Sequence, residues 1–189
     1  MATTVKSVDK VTTPMFRVSF PSVFEASSFD GGPMTFSVVG LFSKAAQATP
    51  AFKEMKRIAL KAIEKKYGKD PKKWPKGLRS DPFRDGSEKE HLDGYNEEGV
   101  VFARLSTRGR PGVVDANREK ILDPSDFYPG CYARATVTAF LYDQKGNKGV
   151  SFGLQNVQKL KDGENFSGRV APEEEEGFGE VGDDDSFLD

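Results

Sequence analysis

Two stretches of the sequence, residues 100–108 and 131–142, alternate small or aliphatic side chains with aromatic and arginine ones. A period of two is typical of a β-strand and places each set on its own face. The predicted outer faces carry Phe102, Arg104 and Arg108 in the first stretch and Tyr132, Arg134, Phe140 and Tyr142 in the second. Rings stack on flat partners and guanidinium groups pair with anions, so these faces suit a ligand that is both flat and anionic.

Exposed aromatic rings are unfavourable in water unless something flat covers them. Unpaired nucleobases are flat and are joined by phosphates, so the rings predict base stacking and the arginines predict phosphate contacts. The alternative is that the rings pack beneath the helix or the long loop described below. For any single ring this alternative stays open.

A second cationic region lies in the loop KDPKKWPKG, residues 69–77. Lys72 and Lys73 precede Trp74, so the loop can fold over a sugar-phosphate backbone and offer an indole ring to a base. The solvated face of a helix before this loop is also rich in lysine. We therefore include these three residues among the candidate DNA contacts. The sequence RGRPG, residues 108–112, is too short to count as a motif.

The sequence contains few residues in arrangements that are suited to catalysis. His91 is the only histidine and has no partner at metal-ligand spacing, and Cys131 falls on the small-residue face of a strand, as a buried cysteine would. Asp81, Asp85 and Asp93 lie among prolines and glycines and are interpreted as turn residues. No glycine-rich phosphate motif is present. We predict no enzyme, cofactor or metal; a small metal-dependent nuclease using the loop carboxylates is the alternative.

The charge is distributed unevenly along the 189 residues. The net charge is −1, from 28 basic and 29 acidic residues, but residues 172–189 hold nine carboxylates and no lysine or arginine. Without those nine the rest of the chain carries 28 − 20 = +8. A basic body indicates a polyanionic partner, and an acidic end indicates an interaction tail.

The acidic end also contains apolar residues very close to its terminus. Asp183, Asp184 and Asp185 are followed by Phe187 and Leu188. A tethered acidic chain competes with weakly bound polyanions at high effective concentration, and an apolar tip provides an anchor for a partner protein. We predict a disordered docking tail; a role in solubility alone is the alternative.

The elements that must position these residues are mainly strands. Strand patterns occur at residues 15–25, 34–42, 100–108, 131–142 and 150–160, with a hairpin turn between the last two. One helix is predicted from Pro50 to Tyr67, capped by Thr49 and ended by Gly68. About five antiparallel strands and one helix predict a mainly β, five-stranded barrel with a long basic loop. We expect a flexible segment at 1–13, one domain at 14–170 and the tail at 171–189.

A single cysteine excludes an internal disulfide framework and is typical of a reducing compartment. The first residues lack the apolar core of a signal peptide, and no run is long enough to span a bilayer. We therefore expect a cytoplasmic protein without a membrane role.

Several segments resemble a known family. YPGCYARATVTAFLYDQKGNKGVSFGLQNVQKLKDGE, the earlier PFRDGSEK and GYNEEGVVF, and the acidic end are similar to bacteriophage single-stranded DNA-binding proteins with an OB fold. The resemblance covers most of residues 14–166. It implies a protein that coats single strands without strong sequence preference during phage replication or recombination, and that recruits partner proteins through its C-terminus. One departure is that the helix follows two clear strands, whereas the usual OB plan places it after three.

The sequence thus predicts a non-catalytic binder of single-stranded DNA in the cytoplasm of a bacterial host. A phage assembly protein whose acidic tail holds a capsid or scaffold partner is the structural alternative. A homodimer is left open.

Overall fold

A computed structural model describes residues 9–28 and 31–166 of the chain. Five long strands form its framework, as the sequence predicts. They are β2 (Phe16–Ser28), β3 (Met34–Phe42), β5 (Val101–Thr107), β7 (Tyr132–Gln144) and β8 (Asn147–Lys161). Three short strands are added to them, namely β1 (Val11–Thr12), β4 (Arg84–Asp85) and β6 (Gly112–Val114). The prediction of a mainly β, five-stranded barrel is confirmed.

The five long strands close into a ring. β2 pairs with β3, β3 with β5 and β7 with β8, all antiparallel, over most of their lengths. The ring is completed by two short pairings, a parallel one between β5 and β8 and an antiparallel one between β2 and β7. The barrel is therefore partly closed, and it is weakest along these two seams.

The main helix, α2 (Pro50–Tyr67), has the predicted bounds. The Thr49 hydroxyl accepts a hydrogen bond from the Phe52 amide at 3.3 Å, and Gly68 follows with a φ of 84°. The face predicted to be apolar is buried, with Phe52, Met55, Ala59 and Ile63 packed into the main core. The helix follows two long strands, as read from the sequence, so this barrel departs from the usual OB order.

Other local predictions need correction. Residues 11–12 form β1 on β7, and the Asp9 carboxylate pairs with Lys61 of α2, so the part of the expected flexible segment from residue 9 onward is held on the barrel. A second, four-residue helix, α1 (Lys44–Gln47), precedes α2. Neither helix in the described ranges has an apolar stretch long enough to cross a bilayer. The tail predicted at 171–189 lies outside the described residues.

The long loop from 68 to 100 is built from short turns. It contains two 3-10 helices, Pro71–Lys73 and Gly86–Lys89, each capped by an aspartate. Asp81 accepts a hydrogen bond from the Phe83 amide at 2.9 Å, and Asp85 accepts one from the Ser87 amide at 2.8 Å. Both carboxylates are turn residues, as predicted. His91 is exposed and Cys131 is buried, also as predicted.

Candidate nucleic-acid interface

The outer wall of the barrel is the face of β2, β3 and β5 that points away from the main core. Strand register aligns its side chains in rows. Arg17, Leu41 and Phe102 form one row, and Ser19, Val39 and Arg104 form the next. Val18, Gly40 and Ala103, from the alternate positions of the same strands, point into the barrel. The predicted sharing of one face by Phe102 and Arg104 is confirmed.

Residues 86–100 of the long loop fold over part of this wall. The Gly86 amide donates to the Val100 carbonyl at 2.8 Å, and the Tyr95 hydroxyl bonds to the Ser19 hydroxyl at 3.0 Å. The Tyr95 ring packs edge to face on Phe102, with 5.2 Å between centroids. A second, smaller apolar cluster results, formed by Leu41, Tyr95, Val100 and Phe102.

The prediction that Phe102 offers an exposed ring to a base is wrong. Its side chain is only 5% exposed, beneath Tyr95. Two cations lie above the ring, with Lys89 Nζ at 5.2 Å and Arg84 Cζ at 5.6 Å from its centroid. The strand alternates as predicted, but the Phe102 ring is covered by residues 86–100, a loop that folds back over the strand. Phe102 therefore packs between the wall and the loop that covers it, where no base can reach its ring.

Arg104 lies half-buried in the second row. Its guanidinium donates to the Thr35 hydroxyl at 3.0 Å and approaches the Ser37 hydroxyl at 3.4 Å. Burial lowers the pKa of this guanidinium from its ordinary value, although an arginine keeps its charge at any physiological pH. The Thr35 and Ser37 hydroxyl groups hold the guanidinium against the wall. Arg108 is exposed just beyond the end of β5.

Tyr132 lies at the other end of the first row, on β7. Its ring is half-buried, with Lys161 Nζ at 4.7 Å and Arg17 Cζ at 5.4 Å from the centroid. Arg17 is itself held by its bond to the Gly130 carbonyl at 3.0 Å and by an ion pair with Glu97 at 3.6 Å, and it also lies against the Phe166 ring. The structure thus brings the predicted Tyr132 together with two cations that the sequence reading did not select.

The remaining predicted residues on β7 lie along its hairpin with β8. Phe140 is 39% exposed, and Arg134 is exposed and bonded to the Gln158 amide oxygen at 2.8 Å. Tyr142 is partly buried against the backbone of its pairing partner Gly149. These three side chains therefore follow a different part of the barrel wall from Arg104.

Trp74 does not lie on the wall. Its ring packs partly buried against the main core, and its indole N–H donates to the Gly68 carbonyl at 2.8 Å. Lys72 and Lys73 are exposed on the adjacent 3-10 helix. We therefore interpret Trp74 as an anchor of the basic loop and not as an exposed stacking ring.

The sequence interpretation also missed Phe20, on the outer wall, and Lys89, in the loop that folds over the wall. Simple alternation assigns Phe20 to the inner face with Phe16 and Val18, but a β-bulge between Ser19 and Ser22 changes its direction. The available signal was Pro21, because a proline inside a strand marks a bulge or an edge. For Lys89 no local signal existed, since its position depends on the folded loop.

Among residues 9–28 and 31–166, no three His, Cys, Asp or Glu side chains are grouped so as to hold a metal ion. The predicted tail residues Asp183, Asp184, Asp185, Phe187 and Leu188 lie outside the described ranges. The interface is therefore a wall of rings, cations and hydroxyl groups.

Known proteins match most of this chain. The sequence model of a family described as Enterobacter phage Enc34, ssDNA-binding protein, matches residues 9–188. Protein p50 of Acyrthosiphon pisum secondary endosymbiont phage 1 is 35% identical over 159 residues, which cover 80% of this chain and 83% of p50.

Solved structures agree with the fold. The single-stranded DNA-binding protein of bacteriophage Enc34 in complex with ssDNA is 21% identical, with a TM-score of 0.68 over 83% of this chain and 89% of its own. The bacteriophage T7 single-stranded DNA-binding protein gp2.5 is 13% identical, with a TM-score of 0.60 over 93% and 98%. The family is not an enzyme family, which confirms the prediction that the protein is not an enzyme. By the extent of the family match, the chain belongs to the Enc34-type family of phage single-stranded DNA-binding proteins.

Proposed function

We propose that this protein coats single-stranded DNA without strong sequence preference, using the outer wall of its barrel and the neighbouring face of β7. The observation that carries the proposal is the placement of cations against rings that are partly open to solvent, with Arg17 and Lys161 beside Tyr132. Bases stack on rings whatever their sequence, and cations follow the phosphates.

The proposed contacts are of two kinds. Tyr132, Phe140 and Tyr142 stack bases; Arg104, Arg108, Arg134, Lys72 and Lys73 meet phosphates. Phe102 and Trp74 are left out because their rings are covered or used in packing. Arg17 and Lys161 are added because they flank Tyr132.

The test is a titration of fluorescein-labelled oligo(dT) followed by anisotropy at several salt concentrations, beside a duplex of equal length. We expect tighter binding to the single strand and an affinity that falls steeply with salt. Equal affinity for both forms, or none for oligo(dT) at low salt, would contradict the proposal. The label is needed because Trp74 packs against the core and reports unfolding more directly than binding.

We further propose a cellular location and protein partners for this chain. The protein acts in the cytoplasm of the host bacterium during phage replication or recombination, and its acidic end both competes with DNA and recruits other proteins there. Pull-down of replication proteins by the full chain but not by a chain ending at residue 171 tests recruitment. Sedimentation of the full chain tests the homodimer.

A further inference from the structure

The Phe20 side chain is held on the outer wall by an unusual backbone conformation. Its φ of 43° lies in the left-handed region, where bulky residues are rare. Between Ser19 and Ser22, β2 carries one residue more than β3, so Phe20 sits in a bulge. Bulges of this kind redirect a side chain and are common next to functional sites.

The redirected ring faces solvent instead of the core. Phe20 is 57% exposed, whereas Phe16 and Val18, earlier on the same strand, are fully buried. An exposed phenyl ring gains little from packing, so it does not itself stabilise the strained backbone beneath it. Strain of this kind persists where the surroundings impose it, and it is concentrated at binding and active sites.

A cation accompanies the ring. Lys89 Nζ lies 6.0 Å from the Phe20 centroid, and it is also within 5.8 Å of the Tyr95 centroid and 5.2 Å of the Phe102 centroid. Within the described part of the chain, no carboxylate lies within ion-pair distance of Lys89. The buried rings of Tyr95 and Phe102 therefore hold the Lys89 ammonium group beside the exposed ring of Phe20.

The loop that carries Lys89 is fixed to the strand that carries Phe20. The Tyr95 hydroxyl bonds to the hydroxyl of Ser19, the residue just before Phe20, at 3.0 Å. The Ser22 hydroxyl, just beyond the bulge, accepts a hydrogen bond from the Ser27 hydroxyl at 3.2 Å. Ring and cation are thus held in place before any ligand arrives.

From this geometry we propose that Phe20 and Lys89 form a stacking site for one unpaired nucleobase, with Lys89 meeting the adjacent phosphate. This site rests on the proposed function, the binding of single-stranded DNA, and gives it one defined position on the outer wall. A base paired in a duplex keeps its faces against its neighbours and cannot stack on Phe20. The site therefore contributes to preference for single strands.

The test uses Phe20→Asn and Phe20→Tyr, because asparagine tolerates the left-handed conformation while tyrosine keeps a ring. Leu122→Asn is the matched control, since Leu122 is 82% exposed and lies beside Asp123 and Asp126, away from the wall. We expect Phe20→Asn to weaken oligo(dT) binding by roughly tenfold, to leave duplex binding within about twofold, and to leave the Tm unchanged or raised. Phe20→Tyr and Leu122→Asn should bind as the parent protein does.

Lys89→Gln should weaken oligo(dT) binding. It should also reduce the salt slope, which is the steepness with which the logarithm of the binding constant falls with the logarithm of the salt concentration, by about 0.7. Lys53→Gln, on the exposed face of α2, should change this slope less. If the parent protein binds oligo(dT) and Phe20→Asn binds equally well, the stacking site is refuted and the proposed function stands. A fall in Tm that accounts for the lost binding would also refute it, because the ring would then be structural. Failure of the parent protein to bind would refute both.

Discussion

The guanidinium carbon of Arg17 lies 4.3 Å from the centroid of the Phe166 ring, so a cation on β2 packs against the last aromatic residue of the described chain. The Arg17 guanidinium also donates to the Glu164 carbonyl at 3.1 Å. The segment after β8 is thus attached to the outer wall beside Tyr132. Residues 164–166, which precede the acidic end in the sequence, therefore lie close to the proposed DNA contacts.

Replacing Arg17 by glutamine tests whether this cation meets DNA. The change removes one charge but keeps a hydrogen-bond donor for the nearby carbonyls. We expect weaker oligo(dT) binding and a salt slope smaller by about 0.7, the value for one phosphate contact on a single strand. The slope is measured by anisotropy titrations over a range of salt. An unchanged slope would show that Arg17 meets no phosphate and acts only through its contacts within the protein, with Gly130, Glu97 and residues 164–166.

Tyr132 should stack a base through its ring and not through its hydroxyl. Tyr132→Ala is expected to weaken oligo(dT) binding by about 1–3 kcal/mol, the usual range for one base. Tyr132→Phe keeps the ring beside Lys161 and should bind as the parent does. Both are compared by titration at one salt concentration. Equal weakening of the two variants would assign the effect to the hydroxyl and contradict stacking.

Phe102→Ala should act on stability. The ring is buried under Tyr95, and truncation of a buried phenylalanine usually costs about 3–5 kcal/mol. Denaturant unfolding should therefore show a large decrease in the free energy of unfolding. A large loss of DNA affinity with an unchanged free energy of unfolding would instead place Phe102 in contact with bases.

The contrast between Phe102 and α2 shows what the sequence could predict. The bounds of α2 depend on Thr49, Pro50 and Gly68, which are local signals, and the structure confirms them. Strand positions also follow from local alternation. The burial of Phe102 depends on a loop that folds back across the sheet, and contacts of that kind leave no period in the sequence.

Phe20 illustrates a second limit. Strict alternation with Phe16 and Val18 would place its ring inside the barrel, and only the extra residue in β2, visible in the register with β3, reverses it. The short β1 was missed for a related reason, because a two-residue strand has too few positions to show a pattern. Local rules therefore recovered the barrel, while the composition of its binding wall depended on register and on loop closure.

Tyr95 makes the stability of the fold sensitive to alkaline pH. Burial raises the pKa of its phenol above the ordinary 10.0, and the bond to Ser19 opposes that shift in part. The unfolded chain loses the proton first as the pH rises, so this contribution is intact below about pH 10 and is lost as the pH passes the raised value.

Burial also raises the pKa values of Tyr128 and Cys131, so the parent protein should lose stability over a broad alkaline range. Tyr95→Phe should lose less in that range, although at neutral pH it should be about 1–2 kcal/mol less stable because the buried Ser19 loses its partner. Thermal unfolding of both proteins at neutral and alkaline pH checks the difference. Equal alkaline losses would show that Tyr95 does not titrate differently in the fold.

Removing residues 172–189 tests whether the acidic end competes with DNA. The deletion changes the net charge from −1 to +8, since nine carboxylates leave and no basic residue does. We expect tighter binding to oligo(dT), with the largest gain at low salt, where charges are least screened. Replacing Phe187 and Leu188 by alanine keeps every charge, so this matched variant should bind DNA as the parent does but lose partner proteins in a pull-down. A truncated chain with unchanged affinity at low salt would exclude competition and leave recruitment as the only proposed role of the acidic end.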